Sequence, residues 1–237
     1  MGHAMRRAAS QLASSFSPLQ VGWTHAHWAE GPEFLALGLS NGAAVSNWPD
    51  EIGTADLVQA TETKQPAYAA TGGANSKPAI DPDGGDWLRV TYTPSIAQPV
   101  TVVVVGAMST SASGELIDGA VEDTGYINYI SSGGGTFRMY AGAYITGPTG
   151  NTSPHLFMAY YNGASSVLGV DGSETSGNAG TAARNGVTVF GRGAPGNNEN
   201  QSNPASFVGV FTGDVRTDPK WAQFKAWVTS HYGITVA

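Results

Sequence analysis

Adjacent carboxylates stand out among the residues able to do chemistry: Asp50 and Glu51, within the stretch VSNWPDEIG. Acid–base chemistry on one substrate requires two such groups that face the same cleft. Neighbouring side chains on a strand point to opposite faces, so this pair cannot share a substrate. We therefore predict a structural stretch in which Trp48 packs, Pro49 fixes the backbone, and Asp50 with Glu51 turns the chain in solvent.

A second cluster of carboxylates, Asp81, Asp83 and Asp86, lies in the glycine-rich stretch IDPDGGDWL. Oxygen ligands on a loop are the kind that Ca²⁺ prefers, which makes this turn the candidate metal site and Ca²⁺ the only candidate cofactor. Pro82 and Gly84 break the EF-hand order, and Asp-Gly-Gly-Asp is also an ordinary hairpin turn. Both interpretations stay open at this point.

Aromatic and amide side chains recur in the stretches YINYI and TFRMYAGAY. Strand alternation places one set of them on a single face, and that set is Tyr126, Asn128, Arg138 and Tyr140. Sugars present an apolar ring face surrounded by hydroxyl groups, so aromatic platforms beside amide and guanidinium donors suit them. These four residues are the candidate carbohydrate-binding site, and scattered polar residues on a solvated sheet are the alternative.

Other chemistry has little support. His25 and His27 share one face of an extended segment, but two histidines without a third ligand make a weak metal site. The chain has no Gly-x-Ser-x-Gly, no phosphate loop and no His-Glu-x-x-His.

The chain has no cysteine, and its net charge of -7 with only 11 Lys plus Arg argues against nucleic acid as a partner. No apolar stretch approaches the ~20 residues of a membrane span, so membrane insertion is not expected.

The elements that must position these residues are strands. Charged residues form only 12% of the chain, and 32 glycines with repeated Asn-Gly and Asp-Gly pairs indicate short strands joined by tight turns. TVVVVGAM is apolar on both faces and is predicted to lie in the middle of a sheet. Strands on both sides of Asn162-Gly163 are predicted to form a hairpin, with a second turn at Asp171-Gly172.

One helix is predicted, at the C-terminus, in TDPKWAQFKAWVTSHYGI. Asp218 is its expected cap, Pro219 its first residue and Gly233 its left-handed exit. Residues 1–22 are predicted to be an N-terminal arm that is disordered or docks on a neighbour, and 23–237 a single β-sandwich domain. The N-terminus is too polar for a secretion signal.

Several blocks in order resemble a known superfamily: GAAVSNWPDEIGTADLVQATETKQPAY, GANSKPAIDPDGGDWLRV, MAYYNGASSVLGVDG and FVGVFTGDV leading to WVTSHYGI. Over roughly residues 35 to 236 the chain is similar to laminin-G-like members of the concanavalin A-like lectin/glucanase superfamily. The resemblance implies an all-β, concanavalin A-like jelly-roll β-sandwich with one concave sheet, here with an N-terminal arm and one C-terminal helix. Some laminin-G-like domains bind calcium through loop carboxylates, which adds to the interest of the Asp81 turn.

The glucanase branch of that superfamily carries its catalytic carboxylates on one strand, at a spacing that points them into one cleft. The nearest match is ELIDGAVED, where Glu115 and Asp118 are an odd number of residues apart. On a regular strand they point to opposite faces, and Asp118-Gly119 is typical of a turn. We therefore predict that the protein is not an enzyme, with a glycoside hydrolase as the less favoured alternative.

Proteins of this appearance occur among bacteriophage minor tail proteins, which suggests a non-catalytic virion protein with a lectin-like domain that contacts host envelope glycans. This step is an analogy, because a fold does not determine a function. The expected partners are other virion or tail proteins, through the N-terminal arm, together with cell-surface glycans and further copies of the chain. The expected location is the virion tail, with an extracellular protein as the alternative. A structural tail protein and a bacterial carbohydrate-binding module remain rival interpretations.

Overall fold

Two antiparallel sheets packed face to face form the protein in the computed structural model, which describes residues 16–109, 114–130, 135–192 and 201–237. The strands of sheet A are β1 (His25–Trp28), β4 (Ala67–Ala69), β5 (Ala79–Asp81), β7 (Val100–Gly106), β12 (His155–Tyr161), β13 (Ser166–Val170), β14 (Ser173–Gly177) and β16 (Ala205–Thr212). The strands of sheet B are β2 (Asn47–Trp48), β3 (Leu57–Val58), β6 (Leu88–Ile96), β8 (Gly114–Asp118), β9 (Tyr126–Ile130), β10 (Thr136–Tyr140), β11 (Tyr144–Thr149) and β15 (Arg184–Val189). This arrangement confirms the predicted all-β sandwich.

The strand order shows how the chain crosses between the layers. Sheet A runs β14-β13-β12-β7-β16-β5-β4, with β1 paired to β16, and sheet B runs β11-β10-β9-β8-β15-β6-β3-β2. Successive strands β8 to β11 are neighbours in sheet B, and β12 to β14 are neighbours in sheet A. Both runs are meanders, and the turns at Asn162-Gly163 and Asp171-Gly172 connect β12 to β13 and β13 to β14 as predicted.

Strand β7 confirms the prediction that TVVVVGAM lies mid-sheet, because it pairs with β12 on one side and β16 on the other. Val102 and Val104 face the core between the sheets. Val103 and Val105 face a second apolar cluster on the outer side of sheet A. Two buried faces explain why this strand lacks the usual alternation of apolar and polar residues.

The second cluster is made by the C-terminal helix α2 (Trp221–Tyr232), which covers the outer face of sheet A. Phe224 is fully buried and contacts Trp23 and Phe207, with ring centroids 5.4 and 5.3 Å away. Residues 16–22 join this layer, with Val21 buried in it, whereas residues 1–15 of the predicted arm lie outside the described residues.

The start of α2 differs from the prediction. The helix begins at Trp221, and Lys220 precedes it without a side-chain cap. Asp218 instead accepts from the amide of Lys220 at 2.7 Å and from the amide of Gly22 at 3.0 Å, so its carboxylate ties the N-terminal segment to the turn before the helix. The exit is as predicted, because Gly233 adopts φ 70° and is the left-handed cap.

A further short helix, α1 (Pro32–Leu35), follows β1. None of the helices in the described ranges is both long and apolar enough to cross a membrane.

Candidate functional site

The outer face of sheet B is where polar and aromatic side chains converge. Strands β9 and β10 pair with Asn128 opposite Arg138 and with Tyr126 opposite Tyr140. Their alternate neighbours, Ile127 on β9 and both Phe137 and Met139 on β10, lie in the core between the sheets. The structure therefore places all four candidate sugar-binding residues on one face, the one that points away from the core.

Strand β11 adds two residues to this face that the sequence analysis did not name. Thr146 lies opposite Arg138, and Tyr144 lies opposite Tyr140. Tyr144 is 54% exposed, which is unusual for a large aromatic side chain. The alternation of Tyr144 and Thr146 after the turn at Ala141-Gly142 was a usable signal for both residues.

The three tyrosines hold one another in place. Tyr126 and Tyr140 stack with ring centroids 4.9 Å apart and planes 13° apart, and the centroids of Tyr140 and Tyr144 are 4.8 Å apart. The hydroxyl of Tyr126 donates to that of Tyr144 at 3.0 Å. Burial and this hydrogen bond both hold the pKa of Tyr126 above its ordinary value. The three tyrosines therefore form an aromatic platform in which the ring of Tyr126 is buried and the ring of Tyr144 is exposed.

Polar groups with spare hydrogen-bonding capacity flank the platform. The guanidinium carbon of Arg138 lies 5.5 Å from the centroid of the Tyr144 ring. Among the described residues, Nε of Arg138 and Oδ1 of Asn128 are buried and have no hydrogen-bond partner. Buried polar atoms without partners are costly, so this part of the face is not optimised for stability alone.

Strand β8 brings a carboxylate to the same face through an irregular register. Glu115 lies opposite Asn128 and therefore points outward. The register then shifts between Glu115 and Ile117, and both Leu116 and Ile117 lie in the core. Such a bulge reverses the alternation of the residues that follow it.

Asp118 consequently shares the outer face with Glu115. It lies opposite Thr188 of β15, whose neighbours Val187 and Val189 both belong to the core. The prediction that Glu115 and Asp118 point to opposite faces is therefore wrong, because it assumed a regular strand.

The two carboxylates have different surroundings. Asp118 is fully buried and accepts from the amides of Gly119 at 2.7 Å and Asp123 at 3.2 Å, so it shapes the turn that ends β8. Glu115 lies 3.9 Å from Nε of Arg192. Arg192 also pairs with Glu122 at 2.6 Å and Asp123 at 3.0 Å. Glu115 is thus held beside a half-buried arginine at one end of the face.

The pair Asp50 and Glu51 has a structural role, but not in solvent as predicted. Trp48 is buried in the core, as expected, and Asp50 is buried as well. One oxygen of Asp50 lies 2.7 Å from Nδ1 of His25 and the other accepts from the amide of Ala26 at 3.0 Å. The Asp50 carboxylate is not in solvent because it lies between the two sheets. Its hydrogen bonds join β1 of sheet A to the segment after β2 of sheet B.

These contacts and the burial explain the pKa shifts of Asp50 and Glu51. Burial opposes ionisation of Asp50, but the hydrogen bonds from His25 and from backbone amides outweigh it and hold its pKa well below the usual range. Glu51 accepts from the amides of Glu33 and Phe34, both at 3.0 Å, and so satisfies the first turn of α1. Burial raises the pKa of Glu51.

The candidate calcium turn is closed by its own hydrogen bonds. Asp86 accepts from the amide of Asp83 at 3.0 Å, and Asp83 accepts from the amide of Gly85 at 2.8 Å. Asp81 lies at the end of β5, and burial raises its pKa and that of Asp86. Over the described ranges, no three His, Asp or Glu side chains are grouped to hold a metal ion. Calcium binding here remains a prediction to which the geometry adds nothing.

A concavity runs along the exposed side of α2. It is lined by Phe16, Gln20, Lys220, Gln223, Ala226, Trp227, Ser230 and His231. His231 pairs with Glu30 at 2.5 Å and stacks on Trp227, so this histidine already has partners within the chain.

Comparison with known proteins supports the fold. No family model matches the chain, and no curated protein matches it in sequence. Among solved structures, the Trypanosoma rangeli sialidase is similar, with a TM-score of 0.56, 12% identity, and coverage of 90% of this chain and 33% of the sialidase. The same sialidase in complex with the inhibitor DANA gives a TM-score of 0.56 at 11% identity, covering 87% of this chain and 32% of the other.

A third structure, domain 4 of an extracellular GH43 arabinanase from Geobacillus stearothermophilus in complex with arabinotriose, has 12% identity over 79% of this chain and 98% of that one. Its TM-score of 0.49 is too low to support a conclusion about this chain.

These findings correct the prediction that the protein is not an enzyme. Two solved structures that share its fold are of a sialidase, which is a glycoside hydrolase. At this identity the likeness shows the fold alone, and the chain spans about one third of the sialidase's length. The concanavalin A-like assignment is supported only as far as an antiparallel β-sandwich of the kind found in a carbohydrate-active enzyme.

Proposed function

We propose that the protein binds carbohydrate through the outer face of sheet B. The observation that carries this proposal is the exposed ring of Tyr144, stacked in a tyrosine cluster beside the guanidinium group of Arg138. Sugar rings pack their C–H faces on aromatic rings and direct their hydroxyl groups to amides and guanidinium groups. Asn128 and Thr146 are further polar residues on the same three strands, β9 to β11.

The two outer faces of the sandwich favour this location. The outer face of sheet A is apolar and is already covered by α2. The outer face of sheet B presents Arg138 and Tyr140 partly exposed and Thr146 exposed. A ligand can therefore reach this face at its β10–β11 end, whereas Tyr126, Asn128 and Glu115 on the same face are buried.

The test is retention of the purified protein on immobilised polysaccharides. Tyr144→Ala should lower retention by about tenfold, equivalent to about 1.4 kcal/mol, because the platform loses its exposed ring. Leu35→Ala is a matched control, since Leu35 has the same 54% exposure but lies far from the strands of this face in the chain. Equal retention of wild type and Tyr144→Ala on every matrix that binds would contradict the proposed face.

Hydrolysis of the bound sugar is a second candidate, favoured by the bulge in β8. It places Glu115 and Asp118 on the same side of sheet B, where both are buried, and glycoside hydrolysis generally uses a pair of carboxylates. Glu115→Gln should then abolish release of reducing ends while binding persists. If wild-type protein retains polysaccharide and releases no reducing ends, the face binds without hydrolysis.

Placement in a bacteriophage tail remains a prediction from the sequence, and so do docking on other virion proteins through residues 1–22 and assembly with further copies of the chain. A domain that binds envelope glycans is compatible with a virion surface or with an extracellular protein. Sedimentation of the protein with purified virions distinguishes the two.

A further inference from the structure

Arg138 differs from the other arginines of the protein in what it contacts. The structure describes five arginines, namely Arg89, Arg138, Arg184, Arg192 and Arg216. Arg192 and Arg216 form ion pairs with carboxylates, and buried Arg184 donates to backbone carbonyls, including Asp118 and Gly186. Arg89 donates to the hydroxyl of Thr188 at 3.2 Å. The side chain of Arg138 makes neither an ion pair nor a hydrogen bond within the described part of the chain.

An arginine without an acceptor is unexpected in this protein. The chain carries 18 Asp plus Glu against 11 Lys plus Arg, so carboxylates outnumber cations. Glu115 is the carboxylate on the same row of the sheet, but Asn128 on β9 separates it from Arg138 on β10. Two strand spacings amount to about 10 Å, beyond ion-pair distance. Glu115 lies close to Arg192 instead.

The ring of Tyr144 lies beside the guanidinium group of Arg138. Its carbon is 5.5 Å from the centroid of Tyr144, a distance at which a cation is attracted to the ring face. The buried Nε has no acceptor among the described residues, while the side chain as a whole stays partly exposed. A planar donor fork held beside an exposed aromatic ring matches a planar carboxylate, which accepts two parallel hydrogen bonds.

We propose that the outer face of sheet B selects sugars that carry a carboxylate, with Arg138 binding the acid group and Tyr144 packing against the sugar ring. This inference rests on the proposed carbohydrate-binding function and narrows its ligand class to uronic acids and other carboxylated sugars. Lysine cannot replace Arg138 fully, because an ammonium group offers no planar fork.

The experiment measures binding of the full chain to a panel of oligosaccharides: neutral hexose oligomers, the matching uronic-acid oligomers and the O-sulfated hexose oligomers. Wild type should prefer the uronic-acid members. Arg138→Gln should bind them about tenfold or more weakly, as expected for loss of a charge-assisted pair, and Arg138→Lys should fall between the two. Arg216→Gln is the matched control, because it removes the same charge from an arginine already paired with Asp214 and Glu174.

Each other outcome has a distinct meaning. Equal binding of neutral and uronic-acid members overturns this inference and leaves the proposed function standing. Binding of no member of the panel overturns both. Preference for sulfated members alone, or unchanged affinity of Arg138→Gln for uronic acids at wild-type thermal stability, overturns the assignment of a carboxylate to Arg138.

Discussion

The two outer faces of the sandwich are built from the same kind of strand but have opposite chemistry. The outer face of sheet A is lined with Val103, Val105 and Phe207 and is buried under α2. The outer face of sheet B is lined with tyrosine, asparagine and arginine and reaches solvent at Tyr144. The first face therefore contributes to stability, and the second is open to solvent at its β10–β11 end. Substitutions on the first should change the free energy of unfolding, and those on the second should change affinity.

The largest effect on stability should come from the outer face of sheet A, which α2 covers. Phe224→Ala removes a fully buried ring between Trp23 and Phe207 and should lower the free energy of unfolding by about 3–5 kcal/mol. Urea unfolding measures this, with Gln223→Ala on the exposed side of α2 as the control. Sugar affinity of the folded variant should be unchanged. If the variant is fully folded but binds sugar much more weakly than wild type, the two outer faces do not have separate roles.

Asp50→Asn should have the next largest effect, because it weakens the buried contacts that join β1 to the segment after β2. We expect a loss of about 2–3 kcal/mol at pH 7, since the carboxylate accepts from His25 and from backbone amides. Unfolding at pH 7 should show this loss, with exposed Glu62→Gln within about 0.5 kcal/mol of wild type.

The acid dependence of the same variant has a defined sign. The pKa of Asp50 is lowered in the folded state, so its stabilisation is present above the unfolded pKa of about 3.9 and is lost as the pH falls below it. The stability difference between wild type and Asp50→Asn should therefore narrow as the pH is lowered from 5 to 2.5. A difference that stays constant would show that the hydrogen bonds do not depend on the carboxylate charge.

A smaller effect is expected at the centre of the tyrosine cluster. Tyr126→Phe removes the hydrogen bond to Tyr144 and should cost about 1 kcal/mol of stability. Affinity for sugar should fall a few-fold because Tyr144 is held less firmly. Tyr140→Phe is the control, since no hydrogen bond of the Tyr140 hydroxyl is present in the described ranges. Equal affinities of the two variants would show that the Tyr126 hydroxyl does not position the platform.

The smallest effect should come from the outer face of sheet B at β3, which lies far from β11 in the strand order of that sheet. Val58 lies opposite Arg89 on sheet B and is 49% exposed. Val58→Ala should change the free energy of unfolding by less than about 0.5 kcal/mol and leave affinity unchanged. A marked loss of affinity in a sugar-retention assay would extend the ligand site from β11 to β3.

Much of the sandwich could be predicted from sequence because local patterns determine it. The Asn-Gly and Asp-Gly turns predicted the hairpin from β12 to β13, and a run of valines predicted the central strand β7. Alternation also placed Arg138 and Tyr140 correctly on the outward side of β10, because β9 and β10 pair without a bulge. These features depend on neighbouring residues only.

The features that the sequence analysis missed depend on strand register and on contacts between residues that are distant in the chain. The bulge between Glu115 and Ile117 reversed the face of Asp118, and the sequence there contains no turn residue to indicate it. The burial of Asp50 depends on His25, which lies 25 residues away. The absence of an acceptor for Arg138 depends on which carboxylates the fold brings near it, and no pattern along the chain states that.

The central claim is that the sugar lies on sheet B and not along α2, and NMR titration of ¹⁵N-labelled protein tests it most directly. The titrant is the oligosaccharide retained most strongly in the panel. We predict chemical-shift changes in the amides of 126–130, 136–140 and 144–149, with those of 221–232 unchanged. Changes confined to α2 and to the cleft lined by Trp227 and His231 would contradict the account.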